Sequence, residues 1–453
     1  MSHLKHTPEE VRAFAEDAIC RLAGAGFRAV FAGGCVRDML LGLQPKDYDV
    51  ATSATPEQVM ALFPRNVPVG AVFGVVRVLG DGEDPLQVEV ATFRGETSYS
   101  DGRHPDQVCF TDEVEDVKRR DFTVNGLLFD PLKHKDEEKV LDYVGGRADL
   151  KRRLIRAIGA PPRRFAEDHL RMLRAVRFAS TLGFEIENAT LGAIQDCAER
   201  ILDVSAERIR EELDLMLTGP RPGRAFELLK TSRLLKQLLP EVEALEGVPQ
   251  PAQFHPEGDV WTHTLAMLEM LKEPAATLAL GVLLHDIGKP ATLEHADRIR
   301  FNEHEKLGAE MAERIMLRLK YPNEELERVV NLVRQHMVFK DAQRMRPATL
   351  KRFLRQPHFA EHLELHRLDC LASHGSLDCY DLCAAELKKQ STETLSPPPL
   401  INGRDLIALG LTPGPRFKTI LSEVEDRQLE GALADKAGAL AYVRKLLESR
   451  EGK

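Results

Sequence analysis

Between an apolar run, Ala29-Val30-Phe31-Ala32, and a second apolar segment carrying Lys46-Asp47-Tyr48-Asp49-Val50, the chain places two adjacent glycines, Gly33 and Gly34. The stretch Gly33-Gly34-Cys35-Val36-Arg37-Asp38 opens a short helical reading, Val36 to Gly42, so the local order is strand, glycine turn, helix, strand. Glycines at such a junction let backbone N–H groups approach a phosphate, and a helix start favours an anion. Arg37 can add a charge-assisted contact. Asp47 and Asp49 are two apart, which on a strand turns both carboxylates to one side. Two such acids facing a triphosphate suit Mg²⁺, which takes a few carboxylates together with substrate oxygens. The alternative is a surface turn with two solvated acids.

At 453 residues the chain is too long for one ordinary core, and two to four domains are expected. Its formal charge of −9 excludes a uniformly basic nucleic-acid coat, so any RNA site must be a local patch. One Trp and six Tyr leave little for aromatic stacking. The seven cysteines, Cys20, Cys35, Cys109, Cys197, Cys370, Cys379 and Cys383, are scattered without a C-x-x-C pair, which argues against a zinc ribbon or a disulfide framework. The N-terminus is polar and no apolar run reaches signal or membrane length, so a cytoplasmic protein with no membrane partner is expected.

Pro8 to Ala25 reads as an opening helix, and Pro56 to Phe63 as a short one capped by Thr55. Gly70 to Leu79 and Leu86 to Phe93 are β-rich, and Asp81-Gly82-Glu83-Asp84-Pro85 between them is a hairpin signal. The alternation from Gln87 to Arg94 lets Glu89 face the same cleft as Asp47 and Asp49 as a third catalytic acid, or stand as an exposed edge-strand acid. The polar loop Thr97 to Pro105, next to this cleft, can serve as a mobile lid. In Lys118-Arg119-Arg120-Asp121-Phe122-Thr123-Val124-Asn125-Gly126, the residues Arg120, Asp121 and Asn125 can meet phosphate and ribose hydroxyls; a charged helix start is the plain alternative. Asp142 to Leu150 reads as a turn into a helix and a possible hinge.

The order of these units resembles the bacterial-type (class II) tRNA nucleotidyltransferases, the CCA-adding enzymes, and the related bacterial poly(A) polymerases. The shared pattern runs through Gly33–Asp38, Lys46–Asp49, Arg119–Asn125, Gly145–Leu150 and, further on, Glu167–Arg171. The resemblance implies an α+β chain: a polymerase-β-like nucleotidyltransferase head with a small mixed sheet (1–150), then an all-α neck (151–250), a body containing an HD-type helical domain (251–390) and a tail (391–453). It implies Mg²⁺ on Asp47 and Asp49, with Gly34, Arg37 and Arg120 on the nucleotide.

Arg147 to Arg177 holds ten Lys or Arg against three acids. After Pro161-Pro162, Arg163 to Thr181 reads as one helix, with Asp168 and Arg171 as i,i+3 neighbours and Arg174 and Arg177 continuing the row. A carboxylate only accepts hydrogen bonds and a guanidinium only donates. Cytosine and adenine both offer an amino donor beside a ring-nitrogen acceptor, whereas guanine and uracil present a carbonyl and a ring N–H there. An Asp168/Arg171 pair would therefore accept C and A, in the position of the family's nucleotide-selecting motif. The alternative is a surface salt bridge worth at most about 1 kcal/mol. Arg174 and Arg177 can reach the triphosphate or line an RNA face. Ser205 to Leu213 reads as a brace that holds the preceding helices by ion pairs.

From Glu199 onward the pattern is helix after helix. There, His255-Pro256, His263, the run Leu283-Leu284-His285-Asp286-Ile287-Gly288-Lys289-Pro290, His304, His336 and Asp369 form a second constellation. His beside Asp at the end of an apolar helix can direct both side chains to one metal. This resembles the HD-type phosphohydrolase domain, which would place His263, His285, Asp286 and Asp369 on a divalent ion (Mg, Mn, Ni or Fe), with His304 and His336 available to a second. A scaffold retained only as an RNA-binding module is the alternative. Ser391 to Pro399 reads as a linker before a last amphipathic helix.

The function implied is template-independent addition of C and A, from CTP and ATP, to the 3′ end of tRNA. Adding only A, poly(A) synthesis, and a chain that is chiefly an HD phosphohydrolase are the other readings.

Overall fold

Thr7 and Glu10 exchange side-chain-to-backbone hydrogen bonds at the start of the first helix, Pro8–Gly24, and Ala15, Ala18, Ile19 and Leu22 bury its apolar stripe. In the computed structural model, residues 6–70, 74–96, 108–136, 138–251, 253, 258–295, 299–389 and 397–451 are described. The loop expected over Thr97 to Pro105, His255-Pro256 and most of the linker at Ser391 to Pro399 lie outside them. The chain divides into two compact units, residues 1–243 and 244–453.

Among the described residues the first unit has eleven strands: β1 (Ala29–Ala32), β2 (Asp49–Thr52), β3 (Asn66–Gly70), β4 (Val75–Leu79), β5 (Gln87–Thr92), β6 (Arg94–Glu96), β7 (Val108–Phe110), β8 (Leu127–Phe129), β9 (Leu141–Asp142), and the parallel pair β10 (Leu154–Ile155) and β11 (Glu185–Ile186). Seven of them form a mixed sheet in the order β3-β4-β5-β2-β1-β8-β9, and β6 pairs with β7 as a separate ribbon. Every residue of β1 is buried, as a central strand covered on both faces requires. The hairpin expected between β4 and β5 is present, antiparallel, with Arg77 opposite Glu89. β2 and β5 pair in parallel, which sets Asp49 opposite Glu89.

The glycine turn lies where expected: Gly33 caps the helix Gly34–Leu40 at φ 80°, a conformation L side chains rarely adopt. Helix Pro56–Leu62 carries its Thr55 capping box. The expected single helix from Arg163 to Thr181 is instead two, Pro161–Glu167 and Arg171–Leu182, because Asp168 is extended at φ −152°, ψ 107°. Its Oδ1 accepts the Leu170 N–H at 3.1 Å, a local bond that competes with the helical one. Helices Asn188–Cys197, Ala206–Leu217 and Pro222–Thr231 complete most of this unit's helical part.

Among the described residues the second unit is helical apart from one ribbon, Leu293–His295 with Ile299–Phe301. Helix Ala276–Leu284 is buried over all the residues from Thr277 to Leu284 and carries His285 at its end. Helices Val260–Glu269, His304–Arg318, Asn323–Gln335 and Phe359–Ala372 belong to the same unit. The last helices, Gly403–Ala408, Pro415–Leu429 and Lys436–Glu451, gather around Leu406, Ile420, Val424, Ala439 and Val443. The six cysteines with described side chains are free thiols. Among the described residues no helix is long and apolar enough to cross a membrane.

Candidate active site and metal centre

A cavity of about 380 Å³ in the first unit is lined by Gly33, Gly34, Arg37, Asp49, Arg120, Asp121, Asn125, Asp168, Arg171 and Arg174, together with Arg119 and Phe178. Four separate stretches of sequence thus converge on one pocket. At Gly33 a Cβ would stand 3.0 Å from Arg120 Nη1, so the glycine lets that guanidinium lie across the turn. Arg120 is held from behind by Asp116, whose Oδ2 accepts its Nη2 at 3.0 Å, while Asp116 Oδ1 accepts Arg119 Nη2 at 2.7 Å. Burial pushes the Asp116 carboxyl up, and the two guanidinium groups outweigh it and hold the group below its ordinary value.

Arg37 donates from Nη1 to Asn125 Oδ1 at 2.7 Å and from Nε to Asp38 Oδ1 at 2.8 Å. Asn125 in turn donates from Nδ2 to Asp121 Oδ1 at 3.1 Å, and Arg174 donates to Asp121 Oδ2 from Nε at 2.9 Å and Nη2 at 2.7 Å. Burial works against the Asp121 charge, but Arg174 and Asn125 more than compensate and bring its pKa down to about 2. Asp121 therefore acts as a hub that aims Arg174 and Asn125.

The acids behave differently. Asp49 opens β2, and Asp47 lies in the turn before it rather than on the strand, which corrects the reading of both on one strand. Desolvation pushes the Asp49 carboxyl up to about 6, with Arg120 opposing and Glu89 and Asp47 adding like charge. The residue as a whole is nonetheless exposed, at the solvent edge of the cavity. Glu89 accepts a hydrogen bond from Arg77 Nη2 at 2.7 Å, and the oxygens of Asp47, Asp49 and Glu89 do not all come within 4.8 Å of one another. Glu89 shares the Asp49 face, yet its tightest partner is Arg77.

Asp168 and Arg171 both line the pocket; the Arg171 N–H donates to the Asp168 carbonyl at 3.1 Å, but their side chains do not pair with each other among the described contacts. Arg171 donates to Glu167 Oε2 at 2.8 Å and to the carbonyls of Arg164 and Arg119, both at 3.1 Å. Asp168 is forked by Arg208, with Nη2 to Oδ2 at 2.9 Å and Nη1 to Oδ1 at 3.3 Å. Arg177 does not line the pocket: it donates to buried Glu212 at 2.6 Å. The brace expected from Ser205 to Leu213 is thus real, through Arg208 and Glu212 of helix Ala206–Leu217. Phe178, which the sequence reading did not single out, has the guanidinium carbons of Arg37, Arg174 and Arg177 over its ring at 5.3, 5.1 and 4.3 Å. Arg119 was missed as well, although the basic run Lys118-Arg119-Arg120 contains its signal.

In the second unit, His263, His285 and Asp286 bring one ligand atom each within 4.8 Å of one another, and so do Asp286, His304 and His336. His285, His304 and His336 direct Nδ1 to the carbonyls of Val282, Phe301 and Val333 at 2.8, 2.9 and 2.7 Å, which turns every Nε2 inward. Asp286 spans both groups: Oδ2 lies 3.1 Å from His285 Nε2, and Oδ1 lies 3.4 Å from His304 Nε2 and 3.8 Å from His336 Nε2. Asp369 Oδ1 lies 3.2 Å from His263 Nε2, so the most distant residue in sequence joins the cluster through His263. Lys289 Nζ touches Asp286 Oδ2 at 2.6 Å. Desolvation, with His285 next, lowers His336 to about 3, which leaves its imidazole neutral at ordinary pH.

Residues 29–156 match the poly A polymerase head domain, residues 183–245 the family described as the probable RNA and SrmB-binding site of polymerase A, and residues 260–368 the HD domain. The CCA-adding enzyme of Lactobacillus helveticus is 42% identical over 258 residues, 56% of this chain and 62% of that protein. That of Levilactobacillus brevis is 44% identical over 232 residues, 51% of this chain and 56% of that protein. The chain thus carries a poly A polymerase head domain and an HD domain, and over about half of its length it is similar to CCA-adding enzymes. It matches less than two thirds of the length of these curated relatives. The fold is similar to the crystal structure of the Bacillus stearothermophilus CCA-adding enzyme in complex with CTP, at a TM-score of 0.74 and 26% identity over 99% of each chain. It also resembles the Thermotoga maritima CCA-adding enzyme complexed with a tRNA, at a TM-score of 0.59 and 20% identity, covering 98% of this chain and 97% of that one.

Proposed function

We propose that the chain is a cytoplasmic nucleotidyltransferase that adds C and A, from CTP and ATP, to the 3′ end of tRNA and releases pyrophosphate. One observation carries this reading: groups suited to phosphate, ribose and base, drawn from four stretches of sequence, line a single pocket with Asp49 at its edge. The RNA 3′-hydroxyl attacks the α-phosphate, and the protein supplies position and charge. Arg37, Arg120 and Arg174 face the triphosphate, each held by an acid or amide behind it. Asp168 accepts from the amino group of C or A and Arg171 donates to the neighbouring ring nitrogen. A guanine or uracil would leave these groups unpaired, at about 1–3 kcal/mol.

Asp47 and Asp49 fit Mg²⁺: two mutually repelling carboxylates, one held near pH 6 by desolvation and like charge, favour a cation between them and the substrate. When bound, that ion would neutralise triphosphate charge and activate the hydroxyl. The His/Asp cluster of the second unit fits one or two divalent metal ions, His263, His285, Asp286 and Asp369 on one and His304 and His336 on the other. This supports HD phosphohydrolase activity as a second reading. The division into head (1–150), neck (151–250), HD body (251–390) and tail (391–453) belongs to the same proposal.

A tRNA lacking CCA, incubated with the full chain and CTP, ATP or both, tests it. Extension by C, C and A with both nucleotides, lost in Asp47→Ala, is expected. Extension by A alone, or by many A, would replace the proposal by one of the A-adding readings. Wild-type activity in Asp47→Ala would overturn the metal assignment.

A further inference from the structure

Helix Asn323–Gln335 turns Glu324, Glu327, Asn331 and Gln335 to one face, because steps of three and four residues follow the helical turn. All four line a cavity of about 270 Å³, together with Pro357 and His362. His362 is 4% exposed, and its ring stacks on Phe359 with 6.5 Å between centroids. Its Nδ1 has no hydrogen-bond partner among the described residues, and neither does the buried Oε1 of Gln335. Burial lowers the His362 pKa to about 4, so at neutral pH the imidazole is uncharged and Nδ1 can accept. Both orphaned atoms therefore require a donor.

Charge decides what kind of donor. Arg328 also borders the cavity, but Glu361 takes its guanidinium on both oxygens at 2.6 Å. That leaves Glu324 and Glu327, both exposed, as the unpaired acids of the cavity among the described residues. We infer that this cavity binds a linear polyamine. One terminal ammonium donates to Gln335 Oε1 and His362 Nδ1, and the other meets Glu324 and Glu327. An ammonium has three N–H donors and no acceptor, which matches this lining. At about 1.5 Å of rise per residue, Gln335 stands roughly 12 Å from Glu327 along the helix. That span suits an extended triamine and exceeds a short diamine. Asn331 lies between the two ends for an inner ammonium, and Pro357 gives the methylenes an apolar wall. A divalent metal fits less well: among the described residues, the groups with three ligand atoms within 4.8 Å of one another are the two that contain Asp286.

The test is calorimetric titration of the full chain with spermidine, putrescine and Mn²⁺. Spermidine should bind, and putrescine on the order of tenfold more weakly, since it reaches only one end of the cavity. Glu327→Gln should weaken spermidine on the order of tenfold, the loss of one charge-assisted contact, and Gln335→Met about threefold, the loss of a neutral acceptor. Glu325→Gln removes the same charge from the same helix outside the cavity and should leave the affinity unchanged. Absence of spermidine binding, equal weakening in Glu325→Gln and Glu327→Gln, or equal affinity for putrescine overturns the proposal. Displacement of bound spermidine by stoichiometric Mn²⁺ also overturns it and makes the cavity a metal site. Glu327 is exposed, so its substitution spares the core, and the comparison with Glu325→Gln decides the matter even if Gln335→Met fails to fold.

Discussion

Replacing Asp121 by Asn removes one charge from the hub of the pocket while keeping its shape. The amide oxygen can still accept the Phe122 N–H and the Asn125 amide, but its NH₂ would then face the two N–H donors of Arg174. Two routes give the magnitude. The lowering of the Asp121 pKa from 3.8 to about 2, at 1.36 kcal/mol per pH unit, is worth about 2 kcal/mol. Stranding one member of a buried pair costs about 3–5 kcal/mol, an upper bound here because a third of the Arg174 side chain is exposed. About 2–4 kcal/mol in a unit of this size corresponds to roughly 5–12 °C in Tm, read by scanning calorimetry on the transition of the first unit. A folded pKa below the unfolded one gives stability that is complete above about pH 5 and lost as pH falls through about 2. The variant's deficit should therefore be constant from pH 8 to pH 5 and shrink below pH 4. A shift under about 2 °C at pH 7, or a deficit that grows on acidification, would refute the argument.

Two further outcomes follow from the titrating groups. Asp49, raised to about 6, must be ionised to work, so kcat/KM for nucleotide addition should fall as pH drops below about 6. Glu89→Gln removes a like charge and should move that limb to lower pH; an unmoved limb would detach it from Asp49. For the second unit, His285→Ala should reduce bound Mn²⁺ or Ni²⁺ per chain, measured by elemental analysis, and wild-type affinity should weaken as pH falls because protons compete for the imidazoles. Equal metal content in the variant and wild type would remove His285 from the ligand set.

Much of the site is legible because its signals are local. The glycine turn, Asp49 and the run from Arg119 to Asn125 are short words whose chemistry survives any arrangement of the rest. What the sequence hides depends on partners far along the chain. Nothing between Arg163 and Thr181 breaks a helix by propensity, as no Gly or Pro occurs there. The break arises because Asp168 bonds the Leu170 N–H and meets Arg208, forty residues on. A helix-starting Asp was the one available hint. Asn66–Gly70 escaped notice as a strand because Pro68 argues against one, yet it lies at the sheet edge, where a missing N–H is tolerated. Arg177 looked equivalent to Arg174 by spacing, but only a buried Glu212 decides that it turns away. In the second unit the His-Asp pair was readable, whereas the Nδ1 bonds that aim each ring were not.

The parallel pairing of β2 with β5 has a consequence for biosynthesis. Asp49 and Glu89 come to face each other only when Gln87–Thr92 docks beside Asp49–Thr52, after β3 and β4 have passed between them in the chain. β1, next to β2, gains its other neighbour from Leu127–Phe129. At roughly 5–20 residues per second, a ribosome needs several seconds between completing β2 and delivering β8. Over that interval the carboxylate of Asp49 stands on an unfinished sheet, and a growing chain brings its two facing acids together late, as one event with closure of the sheet.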